Sequence, residues 1–137
     1  MTSVATQVLL AFTAWTLLLA VVYVGYRVAL VLTFKERANA WTRGAPEHVD
    51  PAWIIRFNHA HLNSLETLPL YAALVLFAYT QGQLSVLEPL AWIFMAARVF
   101  QSVVHVLSTA PLMVFLRANG LLVQWALLIY WMLQLAN

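Results

Sequence analysis

The sequence predicts an all-α membrane protein, a single up-down bundle of four transmembrane helices occupying residues 1–137, and three observations lead there. Apolar residues make up 64% of the chain and charged residues 9%, against roughly 45–50% and about 25% in soluble domains. Mean hydropathy is +0.82. The apolar residues fall into four runs, each comparable to or longer than the roughly 20 residues that a helix needs to cross a hydrocarbon core about 30 Å thick. A small domain in water keeps much of its surface exposed and cannot hide this much apolar area. Lipid is the solvent for most of the chain.

The first run, residues 4–34, exceeds what a crossing requires, so its end should project from the bilayer. Its start lacks a basic region and its apolar stretch outlasts that of a signal peptide, which reads as a retained helix. Arg27 is its only charge and lies near the far end, within snorkelling reach of the headgroups. Residues 35–52 form the one long polar connection, where Gly44, Pro46 and Pro51 break helix. The second run covers 53–80, followed by a short turn at 81–85. The third covers 86–108. Pro111 suits the first turn of a fourth helix, where its missing N–H is no loss, and that helix runs to 136. Lys35, Arg37 and Arg43 lie in the first loop and Arg56 just beyond it, whereas the 81–85 turn carries no Lys or Arg. By the positive-inside bias, the first loop and the connection near Arg117 face the cytoplasm, with both termini outside.

The chain has no cysteine. Disulfides, thiolate metal sites and cysteine nucleophiles are excluded, so a thiol reaction would have to bring its sulfur on a substrate. The net charge of +2 is slight and scattered, which argues against nucleic acid as a partner.

Polar residues inside the second and third runs carry the functional signal. At 3.6 residues per turn, Arg56, His59, Asn63 and Glu66 fall within about 80° of one another on the second helix. Arg98, Gln101, Ser102 and His105 stand at i, i+3, i+4 and i+7 on the third, again one stripe. At a rise of about 1.5 Å per residue, Glu66 lies roughly 20 Å and Arg98 about 15 Å from the cytoplasmic edge. The two are expected to meet near mid-membrane beneath a funnel of Arg56, His59, Asn63, Gln101 and His105. A charged residue at the centre of a membrane helix costs about 2.5–3.5 kcal/mol on insertion scales. That cost is tolerable only with a partner or a wet cavity. The plainer reading, an ion pair that merely locks the bundle, does not need so many polar groups.

Other residues have simpler readings. His61, off the stripe, is a packing or interhelical hydrogen-bonding residue. Glu88 is a solvated charge favourable to a helix N-terminus. The tryptophans, including Trp15, Trp41, Trp53, Trp92, Trp125 and Trp131, are interface anchors or lipid-facing bulk. Gln124 shares a face with Arg117 and is equally a site residue or an interhelical contact.

Guanidinium and neutral donors with one deep carboxylate suit an anionic, peptide-like ligand bearing carboxylates and one amine. A metal is only weakly supported: His59 and His105 can converge, but no carboxylate stands at a ligand spacing such as Glu-x-x-His. Ser102 lacks an evident acid–histidine partner. Proton relay through Glu and His stays open, although the outer halves of the second and third runs are almost wholly apolar, which disfavours a channel or transporter.

The run Arg56-Phe-Asn-His-Ala-His-Leu-Asn63-Ser-Leu-Glu66-Thr-Leu-Pro69 resembles the second-helix signature of the MAPEG family, the membrane-associated proteins of eicosanoid and glutathione metabolism. Ala-Arg98-Val-Phe-Gln-Ser-Val-Val-His105 is similar to its third helix. The resemblance covers nearly the whole chain and implies a bacterial-type member, placed in the bacterial inner membrane as a homotrimer. It also implies glutathione as co-substrate, held between neighbouring subunits near the cytoplasmic side. Arg56, His59, Asn63, Glu66, Gln101 and His105 take the binding positions, with Glu66 at the glutathione amino end, and Arg27 stands for the family's first-helix arginine. In active eicosanoid synthases a catalytic arginine follows the third helix, close to a proline. Here Leu-Met-Val-Phe-Leu follows Pro111 and the next basic residue is Arg117. Arg117 is the first candidate to stabilise a thiolate and Arg98 the second. Two functions follow: a glutathione transferase or peroxidase acting on lipophilic electrophiles that enter from the bilayer, or a non-catalytic member that binds lipid-like ligands or partner proteins.

Overall fold

The computed structural model describes residues 3–42 and 49–137. Four helices follow one another, α1 (Val4–Leu32), α2 (Ala52–Thr80), α3 (Glu88–Leu107) and α4 (Pro111–Leu135), and the described residues contain no strand. All four are long and apolar enough to cross a membrane. Arg43, Gly44 and Pro46, expected to charge and break the first loop, lie outside the described residues.

Each helix begins and ends for a local reason. Ser3 caps α1 by accepting from the Thr6 amide at 3.2 Å. Glu88, read from the sequence as a solvated charge, instead accepts from the Val4 amide at 3.3 Å and so stitches the start of α3 to the start of α1. Pro51 precedes α2, and Pro111 opens α4 at a position that has no amide bond to lose. α1 stops at Leu32, two residues short of the apolar run, because Phe34 turns to φ 56° and the chain curls back on the last carbonyls. α2 closes in the same way at Gly82, with φ 69°. A single 3₁₀ turn, Leu84–Val86, then leads into α3. Pro69 lies inside α2, where it withholds the amide that the Leu65 carbonyl would otherwise accept.

α1 packs chiefly on α2 and α3 on α4, and α2 and α3 join the two hairpins. The core sits toward the end that carries the 81–87 connection. There Phe12, Tyr71, Phe94 and Trp131 bring one ring from each helix together, with Tyr71 stacked on Phe94 at 4.6 Å between centroids and Phe12 edge-on to Phe94 at 5.8 Å. The Tyr71 hydroxyl donates to the Ala5 carbonyl at 3.1 Å. Trp131, expected at the lipid or the interface, is wholly buried in this cluster. A ring this large contributes more in lipid as dispersion contact between helices than as one more apolar face toward acyl chains. Trp53, Trp92 and Trp125 do face outward.

Candidate functional site

Toward the other end of the bundle the contacts become polar. Asn63 on α2 and His105 on α3 share a hydrogen bond, Nδ2 to Nδ1, at 3.2 Å. Gln124 on α4 donates from Nε2 to Gln101 Oε1 at 2.9 Å and to the Gly120 carbonyl at 2.8 Å. Gln124 is therefore an interhelical contact. Such bonds between membrane helices average about 0.6 kcal/mol, so they orient side chains more than they stabilise the bundle. Gly120 makes the α3–α4 approach possible, since a Cβ there would stand 3.1 Å from Gln101 Cβ and 3.3 Å from the Ala97 carbonyl oxygen.

These bonds fix the walls of a cavity of about 490 Å³ between α2, α3 and α4. His59, Asn63 and Glu66 line it from α2, Gln101 and His105 from α3, and Arg117 from α4, with Leu62, Val114, Ala118 and Leu121 as its apolar surface. Six of the eight residues singled out from the sequence thus share one cavity. The volume is within the roughly 300–1,000 Å³ typical of small-molecule sites. The His59 and His105 rings lie 6.0 Å apart. Glu66 and His59 are exposed along the flank and Arg117 is half-buried. Neither Glu66 nor Arg117 has an ion-pair or hydrogen-bond partner among the described residues. A carboxylate on one helix and a guanidinium on another face the same space, with amides and imidazoles between them. Among the described residues, no group of three or more His, Asp or Glu could hold a metal.

Two expected residues stand elsewhere. Arg56 donates from Nε to the Val106 carbonyl at 2.7 Å, tying α2 to the last turn of α3. Arg98 forms no close ion pair with Glu66, although the two attract one another across a longer gap, and it does not line the cavity. It is 0% exposed, donates from Nη2 to Thr67 Oγ1, and carries its guanidinium 5.3 Å from the centre of the Phe12 ring. The reason is one step of helical rotation: Glu66 and Thr67 are neighbours about 100° apart on α2. Thr67 is turned into the bundle and Glu66 out of it. Arg98 Nε and Nη1 find no partner among the described residues. Ser102 Oγ donates to the Arg98 carbonyl at 3.0 Å, so its hydroxyl is engaged within its own helix.

A second polar cluster lies on the α1 side. Arg27 bonds Asp50 Oδ2 through Nε at 2.9 Å and Nη2 at 2.6 Å, and Trp41 Nε1 donates to Asp50 Oδ1 at 3.0 Å. The guanidinium also lies over the Tyr23 and Trp41 rings, at 5.3 and 5.5 Å. Arg27 is therefore paired instead of snorkelling, and Trp41 is a loop clasp instead of an anchor. Asp50 was not singled out from the sequence. Its only signal there is a lone carboxylate just before Pro51 at the entry to a membrane helix. Tyr23 Oη and His61 Nδ1 lie 3.3 Å apart, which makes His61 an α1–α2 hydrogen-bonding residue.

The model of the MAPEG family matches residues 4–137. Neither a curated protein nor a solved structure matches the chain.

Proposed function

The chain belongs to the MAPEG family, and on that premise we propose that the α2–α3–α4 cavity binds glutathione and that the protein transfers it to, or uses it to reduce, lipophilic electrophiles. One observation carries the reading: Glu66 and Arg117, neither held by a hydrogen bond or a close ion pair among the described residues, face one cavity from different helices, with Asn63, Gln101, His59 and His105 lining it beside them. Glutathione offers an ammonium for Glu66, carboxylates for the amide and imidazole donors of Asn63, Gln101, His59 and His105, and a thiol for Arg117. A free thiol has pKa about 8.5, so turnover at neutral pH needs a group that favours the thiolate. Arg117 is the cation in reach of the cavity and takes that role through charge and hydrogen bonding. Arg98, enclosed behind Thr67, supports the wall at a distance.

The exposed flank beside Glu66 supports two further parts of the reading. Just along the same α2–α4 flank lies an apolar hollow of about 380 Å³ lined by Leu70, Ala73, Leu74, Trp125, Leu128, Ile129 and Met132, a route for a lipophilic substrate arriving from the bilayer. Glu66 exposed on that flank would cost about 2.5–3.5 kcal/mol against acyl chains. A neighbouring subunit would remove that cost, in keeping with a homotrimer whose site is completed between copies. In this reading the protein sits in a bacterial inner membrane with the first loop toward the cytoplasm and both termini outside, which the positive-inside bias supports.

The test is calorimetric titration of glutathione in detergent, together with conjugation of a chromogenic aryl halide. A charge-assisted hydrogen bond is worth about 1.5–3 kcal/mol, so Glu66→Gln should weaken glutathione binding by roughly 10- to 100-fold. Arg117→Ala should lose turnover while retaining most of the affinity. Unchanged affinity in Glu66→Gln removes glutathione from this cavity. The non-catalytic reading draws support from the absence of a basic residue between Pro111 and Arg117. Tight binding with no turnover on any electrophile would establish it.

A further inference from the structure

Two helices of this bundle end in the same backbone motif, and only one of them uses the residue that the motif favours. At the end of α2, Gln83 N–H reaches the Ala78 carbonyl at 2.8 Å and Gly82 N–H reaches that of Tyr79 at 3.1 Å, with Gly82 at φ 69°. At the end of α1, Lys35 N–H reaches the Leu30 carbonyl at 2.9 Å and Phe34 N–H that of Val31 at 3.0 Å, with Phe34 at φ 56°. This is the Schellman closure, whose left-handed position ordinarily belongs to glycine. A phenylalanine there sets its Cβ against the backbone. The strain is not offset by packing among the described residues, since Phe34 is 96% exposed. Lys35 and Arg37 are exposed beside it, and neither side chain has a partner among the described residues. The motif stands at the end of a membrane-crossing helix, where an aromatic ring gains from the headgroup region and basic side chains meet lipid phosphates.

We propose that Phe34, Lys35 and Arg37 form an anchor for anionic phospholipid at the membrane edge. The left-handed turn aims the ring into the interface while the two cations engage the headgroup. This does not depend on what the cavity binds.

The full chain is compared in lipid-free detergent and in bilayer discs of phosphatidylglycerol or phosphatidylcholine. In detergent, Phe34→Gly should unfold at a higher temperature than the parent, since the backbone strain is relieved. In phosphatidylglycerol discs that gain should shrink or reverse. An equal gain in both settings would overturn the anchor. So would a lower midpoint in detergent, which would mean that the ring packs on protein, and so would a change in subunit number, which would assign it to a second copy. Native mass spectrometry from an equimolar lipid mixture should show the parent retaining phosphatidylglycerol several-fold over phosphatidylcholine, and Lys35→Gln/Arg37→Gln losing that preference. Preference unchanged in the double variant, or equal protection by inorganic phosphate in detergent, would reject the lipid assignment.

Discussion

The two ends of the bundle are built from the same four helices and solve different problems. At one end Phe12, Tyr71, Phe94 and Trp131 fill the space between all four helices, and the Tyr71 hydroxyl reaches the Ala5 carbonyl. At the other, Asn63–His105 and Gln101–Gln124 connect the helices but leave Glu66 and Arg117 facing a cavity. Helices in lipid gain little from hiding apolar surface from one another, so close packing and hydrogen bonds must hold them. The aromatic end supplies packing in bulk. The polar end uses its groups for positioning, and keeps two charges available for a ligand. On the proposed function, stability and recognition are divided along the length of the bundle, and three substitutions probe how cleanly.

The largest effect is expected from Phe94→Ala. The Phe94 ring touches Phe12, Tyr71 and Trp131, at 5.8, 4.6 and 5.7 Å between centroids. In soluble cores Phe→Ala costs about 3–5 kcal/mol. Within lipid the transfer part is largely absent and the cavity part stays, so about 2–3 kcal/mol is expected here. Thermal unfolding in one detergent reads the loss. Glutathione affinity of the folded fraction should remain within about twofold of the parent, as distant sites are nearly independent. A tenfold fall would mean that the two ends are one unit.

Arg98→Met tests the boundary between the ends and carries the opposite sign. A wholly buried guanidinium with one hydrogen-bonding partner side chain, Thr67, and two unpartnered nitrogens costs desolvation energy that its place over Phe12 recovers only in part. Replacing buried ionic groups with apolar residues of similar volume is often neutral or stabilising. Arg98→Met should raise the unfolding midpoint, by the equivalent of about 1–2 kcal/mol. A drop of that size would show that the attraction of Glu66 outweighs the desolvation of Arg98, and would return Arg98 to the site.

The position of Arg98 also marks how far the sequence could be read. The four crossings were legible because an apolar run long enough to span the hydrocarbon core is seldom found outside a membrane helix. The grouping of His59, Asn63, Glu66, Gln101 and His105 on common faces was legible because helical rotation dictates it. Which of two adjacent residues turns inward was not: Glu66 and Thr67 differ by one step of about 100°, and it is Thr67 that the folded bundle turns toward Arg98. Trp131 was misread for a related reason, since periodicity along α4 is nearly uniform and an aromatic residue on it fits lipid or core equally. The Arg27–Asp50–Trp41 cluster was hidden because it needs the first loop to return to the helix it left, a long-range contact with no sequence period. Phe34 kept the apolar run going past the point where the helix ends.

Gly120→Ala should give the smallest change in stability and the sharpest test of the division. In an exposed helix this substitution gains about 1 kcal/mol of propensity. Here the new Cβ would meet Gln101 Cβ at 3.1 Å and the Ala97 carbonyl oxygen at 3.3 Å. Both belong to the body of α3 and cannot swing aside as a long side chain would, so overpacking of about 1–3 kcal/mol opposes the gain. A net loss of about 1 kcal/mol follows. Gln101 lines the cavity and holds Gln124, so moving α3 from α4 displaces a wall of the site. Glutathione affinity should fall several-fold although Gly120 itself does not line the cavity, whereas Phe94→Ala, costlier to the fold, should leave affinity alone. If Gly120→Ala instead stabilises the protein with affinity unchanged, the α3–α4 contact is looser than 3.1 Å implies. The cavity wall would then not depend on it.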